Sequence, residues 1–353
     1  MNSQINRKKI LISPLNWGLG HASRCIVVIK EVISQGFEVL IASDGAAGMF
    51  LKKQFPELLH LELPNYNLKY SRLGCFNKAY LMTQIPHIQK CINKETELVA
   101  QWVDQYQIDG IISDNRLGVY SNKIPSVYIT HQTVVKSGWT TFLTTAVHQK
   151  MLAKFDACWI PDFPQTNSMA GALSKPLKTP HKYLGNLSSL SAVNQEQPPP
   201  NDLLILLSGL EPQRSILEEK IRVELNDYQG KVVLVQGKMS EKQTTTVKDN
   251  ITMVNYLKAS EVEQLILESK NIICRSGYST LMDLNKLNKT GFLIPTPGQA
   301  EQEYLAAYYR DKKYMPSCTQ ESFKLKMIEE IPSYTGFPQS LYACDWRELL
   351  SLF

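Results

Sequence analysis

The chain has 353 residues, 43% hydrophobic and 20% charged, with a formal net charge of +5. It is too long for one ordinary core and too apolar for a disordered chain, so two domains of roughly 100 to 200 residues each are expected. No apolar run reaches the roughly 18 residues of a spanning helix, and the basic start runs directly into a β-prone segment, which predicts neither a signal peptide nor a transmembrane span.

The seven cysteines are scattered, odd in number and without a C-x-x-C pair, as in a reduced cytoplasmic protein lacking structural zinc. Charge is uneven: Met1 to Asn186 carries 20 basic and 12 acidic residues, the remainder 18 and 21. A basic first half suits an acidic substrate or an anionic membrane surface, and equally an ordinary surface. With no helix-turn-helix, RNP or zinc-finger pattern, nucleic acid is not an expected partner.

In chain order, Lys9 to Ser13 predicts a strand, followed by the loop PLNWGLG and a helix in which Ala22, Cys25, Ile26, Ile29 and Ile33 recur at helical spacing before Gly36. Strands are predicted at Glu38–Ala42, Gly110–Ser113 and Ser126–Thr130, with a mostly helical stretch over Asn77–Tyr106. Ser191 to Asp202, with three consecutive prolines, reads as a linker. The same grammar then resumes at Leu203–Leu207, Lys231–Gln236, Ile251–Val254, Asn271–Cys274 and Gly291–Ile294. The ending DWRELLSLF spaces Trp346, Leu349, Leu350 and Phe353 on one helical face, with Asp345 and Glu348 placed for a capping box. The expected fold is α/β: two Rossmann-like lobes with parallel sheets over 1–190 and 203–330, a linker at 191–202, and a segment at 331–353 returning to the first lobe. The gap between the lobes is the expected site.

Walker A, H-E-x-x-H and G-x-S-x-G are absent, which leaves P-loop hydrolysis, zincin proteolysis and the nucleophile-elbow esterases unsupported. No D-x-D pair is present to hold a divalent ion against a diphosphate, so no metal is expected. In NWGLGHASR, Gly18 and Gly20 admit a ligand close to the main chain on the acceptor side, and His21 stands at a helix start as a candidate general base or as a helix cap. In CRSGYSTLMD, Ser276, Gly277 and Tyr278 offer backbone N–H groups to a diphosphate, Arg275 a mobile countercharge, and Asp283 an acceptor for ribose hydroxyls. The row Gln299, Glu301, Gln302, Glu303 suits sugar hydroxyls and also the first turn of a helix. Asp114, Asn115, Arg116, His131 and Gln132 end predicted strands and are candidates for the acceptor side. Lys69, Arg72, Lys78, Lys90 and Lys94, interleaved with Tyr70, Phe76, Tyr80, Leu81, Met82 and Ile85, fit a membrane-surface patch or a solvated helical face.

GLGHASR together with CRSGYSTLMDLNKLNKTGFLIPTPGQAEQEYLA resembles the MurG-type glycosyltransferases of the GT-B fold and the related diacylglycerol galactosyltransferases. The resemblance implies an acceptor-binding first lobe, a second lobe binding a UDP-sugar, and a terminal helix crossing back to the first. It implies His21 as catalytic base, Ser276 and Gly277 at the phosphate, Asp283 where the family has a ribose-binding Glu, and Gln302 with Glu303 at the donor sugar, Tyr278 and Gln299 lying nearby. Ser208, Gly209 and Arg214 fall in the family's phosphate loop, although Glu211 and Pro212 depart from its Gly- and Ser-rich pattern. The expected activity is metal-independent, inverting transfer of a sugar to an acceptor hydroxyl, with a lipid or cell-envelope glycoconjugate as candidate acceptor, at the inner face of a membrane. A UDP-sugar hydrolase and a non-catalytic nucleotide-sugar-binding protein remain alternatives.

Overall fold

The computed structural model describes residues 7–67, 80, 82–164, 167–191, 199–209, 211–238 and 240–353. The chain forms two compact units. The first comprises the stretch to Asn67, Gln84–Leu187 and Leu341–Phe353, and the second is built on Ser188–Ser340. Residues 331–340, expected with the returning segment, belong to the second unit. Of the proline-rich linker, residues 192–198 lie outside the described residues, and the strand that follows begins at Asn201.

The first unit holds seven strands: β1 (Lys9–Pro14), β2 (Glu38–Ser43), β3 (Leu59–Glu62), β4 (Gly110–Asp114), β5 (Ser126–Ile129), β6 (Ala157–Ile160) and β7 (His181–Tyr183). They form one sheet in the order β3-β2-β1-β4-β5-β6-β7, parallel at every pairing. The apolar runs of β1 and β4 are buried throughout because helices cover both faces of such a sheet. The helices here are α1 (Gly20–Ser34), α2 (Gly45–Gln54), α3 (Ile85–Tyr106) and α4 (Thr141–Leu152). Trp102, Val99 and Val103 of α3 pack with Leu11, Leu40 and Ile111 of the sheet.

In the second unit, β8 (Asn201–Leu206), β9 (Val232–Val235), β10 (Thr245–Lys248), β11 (Ile251–Val254), β12 (Ser269–Cys274) and β13 (Phe292–Leu293) run in the order β10-β11-β9-β8-β12-β13. Only the exposed edge strand β10 is antiparallel. The helices are α5 (Gln213–Glu224), α6 (Ala259–Leu267), α7 (Tyr278–Lys286) and α8 (Ala300–Asp311). Leu217 and Ile221 of α5 join Leu203, Ile205, Leu234 and Phe292 in the core. Among the described residues no helix is long and apolar enough to cross a membrane.

The chain then returns to the first unit as the short helix α9 (Trp346–Leu350). Asp345 caps it by accepting from the N–H groups of Arg347 (2.9 Å) and Glu348 (3.3 Å). Glu348 does not close the expected capping box; it pairs with Lys182 at 2.7 Å. Trp346 and Phe353 both meet the ring of buried Trp159 edge-on, with centroids 6.1 and 6.3 Å away. Phe353 sits over Gly110, where an added Cβ would lie 2.2 Å from the ring. Gly110→Ala is therefore expected to destabilise the protein by about 2 kcal/mol through overpacking, and Phe353→Ala to cost a similar amount through a lost contact. Because both act at one contact, urea unfolding of the double variant should show far less than the summed loss.

Candidate functional site

In the first unit the chain leaves β1 toward β2 and β3 on one side, while β4 and β5 lie on the other. Loops that follow β1 and β4 therefore diverge, which opens a crevice at the carboxyl ends of the strands. Pro14 pairs with Asp114 and Asp114 with Ile129, so the ends of β1, β4 and β5 are level. Gly18 turns at φ +80°, a conformation that an L side chain resists, and delivers the chain to Gly20, the first residue of α1.

His21 follows, and its Nδ1 lies 3.0 Å from Oδ1 of the fully buried Asp114. Arg24, one turn along α1, donates from Nε to the other oxygen of Asp114 at 2.6 Å, and its Nη2 also contacts Oδ1. Arg24 further lies 2.9 Å from His21 Nδ1 through Nη2 and 3.4 Å from buried His131 through Nη1. Burial pushes the His21 imidazole below its ordinary value; Asp114 opposes that shift and Arg24 adds to it. Burial also disfavours ionised Asp114, but the charges and hydrogen bonds of Arg24 and His21 outweigh it and hold the carboxyl well below the carboxylate range. Among the described residues, His21 Nε2 has no hydrogen-bond partner. Asp114 thus backs His21 instead of facing an acceptor. Asn115 lies beside it, its Nδ2 3.5 Å from His21 Nδ1 and its Oδ1 accepting from Tyr128 at 3.2 Å. The N–H of Gln132 donates to Thr130 Oγ1 at 3.0 Å.

Arg116, expected on the acceptor side, is completely buried. Its Nη2 pairs with Asp44, and its Nη1 lies 3.5 Å from Glu95. Asn16 donates to Asp44 at 3.0 Å and accepts from the N–H of Ala47 at 3.2 Å, so the network ties the loop after β1 to α2. Burial raises Glu95 to about 7 even though Arg116, Tyr66 and the N–H of Gly118 favour its charge. Glu95 stands mid-helix, where sequence reasoning expects a solvated residue. Asp44 carried a usable signal as an acid directly after a strand.

In the second unit, Leu206 of β8 and Leu293 of β13 both pair with Cys274 of β12, so three loops meet at one sheet edge. The first contains exposed Ser208 and Gly209, the latter at φ +101°, a backbone state suited to glycine. The second ends at Gly277, which starts α7 without a side-chain cap; the first helical bond is from Leu281 N to Gly277 O, at 3.1 Å. Ser276 is buried and donates to Gln302 O (2.7 Å), while Gln302 Oε1 accepts from the N–H of Thr296 (2.9 Å). Glu303 is exposed and accepts from the N–H of Gly298 at 2.7 Å, and Gln299 begins α8 next to it. Tyr278 is buried, its ring part of the core. Asp283 Oδ1 accepts from Ser188 Oγ at 2.6 Å, and burial lifts the carboxyl to about 7 against that bond.

Both expected phosphate arginines are committed inside the unit. The five N–H groups of Arg214 go to Glu211, Glu218, Ser215 and the carbonyl of Gln236. Arg275 is 1% exposed and no mobile countercharge: it donates to the carbonyls of Ile294 (3.2 Å), Pro295 (3.0 Å) and Gln213 (2.8 Å) and to Gln320 Oε1 (2.7 Å). Burial brings its guanidinium down to about 9. It joins the ends of β12 and β13 to the start of α5, and so holds the loops that carry the candidate anion site. Of the proposed surface patch, Tyr80, Met82, Ile85, Lys90 and Lys94 are exposed; Lys69, Tyr70, Arg72, Phe76, Lys78 and Leu81 lie outside the described residues. No cluster of three or more His, Cys, Asp or Glu side chains with metal-binding geometry occurs among the described residues.

Compared with known proteins, residues 212–343 match the glycosyltransferase family 28 C-terminal domain. The chain is 21% identical over 336 residues to an uncharacterized glycosyltransferase of Methanosarcina acetivorans, covering 87% of this chain and 84% of that protein. Its fold is similar to that of the glycosyltransferase VinC, solved in complex with dTDP, at a TM-score of 0.60 with 12% identity, over 91% of this chain and 89% of that one. It is also similar to MurG of Acinetobacter baumannii, at a TM-score of 0.52 with 13% identity, over 92% and 89%. The two parallel-sheet units have the GT-B fold, and the family 28 domain together with the glycosyltransferase relatives supports glycosyltransferase activity. The second unit carries the family 28 C-terminal domain, and the likeness to MurG is one of fold.

Replacing Arg275 with Met removes the guanidinium that donates to the carbonyls of Ile294, Pro295 and Gln213 and to Gln320 Oε1. We expect a loss of about 3 kcal/mol in the unfolding free energy of the second unit by urea titration, and Arg275→Lys, which cannot span all four acceptors, should recover less than half of it.

Proposed function

We propose that the protein moves a sugar from a UDP-sugar to an acceptor hydroxyl with inversion at the anomeric carbon and without a metal ion. The observation that carries this reading is His21: its Nδ1 faces an ionised, buried Asp114, and its Nε2 is left for an acceptor proton. The acceptor oxygen bonds to the anomeric carbon, its proton passes to Nε2, and the bond to the diphosphate breaks with the electron pair leaving on phosphate. The uncapped start of α7 at Gly277, with Ser208 and Gly209 beside it, suits the departing diphosphate because first-turn N–H groups and the helix dipole favour anions. Asp283 Oδ2, which accepts no bond among the described residues, suits a ribose hydroxyl, and Gln299, Gln302 and Glu303 offer polar groups to the sugar.

The base works only when unprotonated, so activity should fall as pH drops through the His21 titration, with a midpoint below 6.5. UDP release from a panel of UDP-sugars, each with and without acceptors, tests the whole. His21→Ala should lower kcat by about a hundredfold or more, and Asp114→Asn by a comparable factor. Free sugar formed without any acceptor would instead indicate a hydrolase, and tight binding without turnover a binding protein. Absence of any thermal shift with UDP would sink the donor assignment.

A lipid-borne acceptor is favoured by α4, which exposes Phe142 (87%), Leu143 (64%) and Val147 (49%) on the face that also carries Lys150. A solvated helix face that is this apolar and ends in a cation suits the interface of an anionic bilayer. The protein should sediment with phosphatidylglycerol-containing vesicles at low salt, and Phe142→Glu with Leu143→Glu should abolish this without changing the folded circular dichroism spectrum.

A further inference from the structure

Arg24 is 2% exposed, and a guanidinium is placed so deeply only where its partners repay dehydration. Its Nε and Nη2 close on the two oxygens of Asp114 as a fork, which fixes the plane of the carboxylate. His21 Nδ1 lies 3.0 Å from Oδ1 of that carboxylate and 2.9 Å from Nη2. These two contacts ask opposite things of the imidazole. A proton on Nδ1 satisfies Asp114, whereas a lone pair there would accept from Arg24, move the proton to Nε2 and remove the base. With a lone pair on Nδ1, two acceptors would face each other at 3.0 Å. With the proton on Nδ1, imidazole and guanidinium converge as donors on one oxygen that has two lone pairs.

We propose that Arg24 is a positioning residue: it clamps Asp114 so that the carboxylate takes the His21 Nδ1 proton, leaving the Nε2 lone pair as the base. This rests on the reading of His21 given above. The charged and titratable groups around the imidazole are Asp114 at the end of β4, Arg24 and Cys25 on α1, and His131 after β5, with the amide of Asn115 alongside. Of these Arg24 is the cation that opposes an imidazolium, and its loss leaves Asp114 unopposed. Proton affinity of the His21–Asp114 pair should then rise, so the base is blocked at a higher pH.

Protein labelled with nitrogen-15 histidine tests this directly, with His21→Gln identifying the signal among the six histidines. In the unaltered protein at pH 8 the His21 spectrum should show a protonated Nδ1 and an unprotonated Nε2. Arg24→Met should mix the tautomers and raise the titration midpoint by about one unit, a tenfold gain in proton affinity. Arg24→Lys, which keeps the charge but not the fork, should hold the midpoint near that of the unaltered protein while still mixing the tautomers. A predominant Nε2–H tautomer in the unaltered protein overturns the proposal, and that spectrum needs no Arg24 variant to fold. An Arg24→Met midpoint and tautomer identical to the original also overturn it. Because the imidazole is read without turnover, a protein that releases no UDP can still show this clamp, and an active transferase with the wrong tautomer defeats this inference alone.

Discussion

A guanidinium removed from water is costly unless protein groups compensate its charge, and among the described residues three of the largest fully buried side chains are arginines, held by carboxylates and carbonyls even though Arg116 Nε and Nη1 and Arg275 Nε make no hydrogen bond. Arg24 and Arg116 stand in the first unit and Arg275 in the second, each at the carboxyl end of a parallel sheet. The partners they find include residues of the candidate site in each unit. Asp114 ties α1 to β4 through Arg24, Asp44 and Glu95 tie α2 and α3 to the loop after β4 through Arg116, and backbone carbonyls tie three loops of the second unit through Arg275.

The two units solve different chemical problems with the same architecture. In the first, the ionised side chains of Asp114 and Arg24 surround one imidazole, that of His21. In the second, the interior arginines are consumed by carboxylates and carbonyls, which leaves main-chain amides at Gly277 and the small residues Ser208 and Gly209 at the edge for an anion. A cation locked to backbone is not free to pair with an anion, whereas the first-turn N–H groups and dipole of a helix start favour one. Gly110 shows the same economy at the chain end, since only a residue without a side chain leaves room for Phe353.

Long apolar strands and their helices were readable directly. Every predicted strand from Lys9–Ser13 to Gly291–Ile294 has an observed counterpart, because continuous burial on two faces leaves an unmistakable run of apolar residues. The strands that escaped notice are β3, β6, β7 and β10. Their apolar signal is weak: LHLE and HKY mix polar residues into the sheet margin, ACWI is brief, and TTVK is wholly exposed. Glu348 was spaced for a capping box, yet Lys182, 166 positions away in sequence, takes it instead.

Residue types and spacing marked the loops at His21 and Gly277, since a glycine turn between strand and helix is a local feature. They also placed Asp114 at a strand end. What they could not assign was direction. Whether Asp114 faces an acceptor or backs a histidine, whether Arg116, Arg214 and Arg275 reach a ligand or brace the interior, and that Arg24 belongs to the same cluster depend on contacts spanning tens of residues. Local sequence records which side chains are able to ionise or donate. The partner each one finds is a consequence of strand order and register, which bring distant loops level at one edge of a sheet, and so it was settled only by the folded chain.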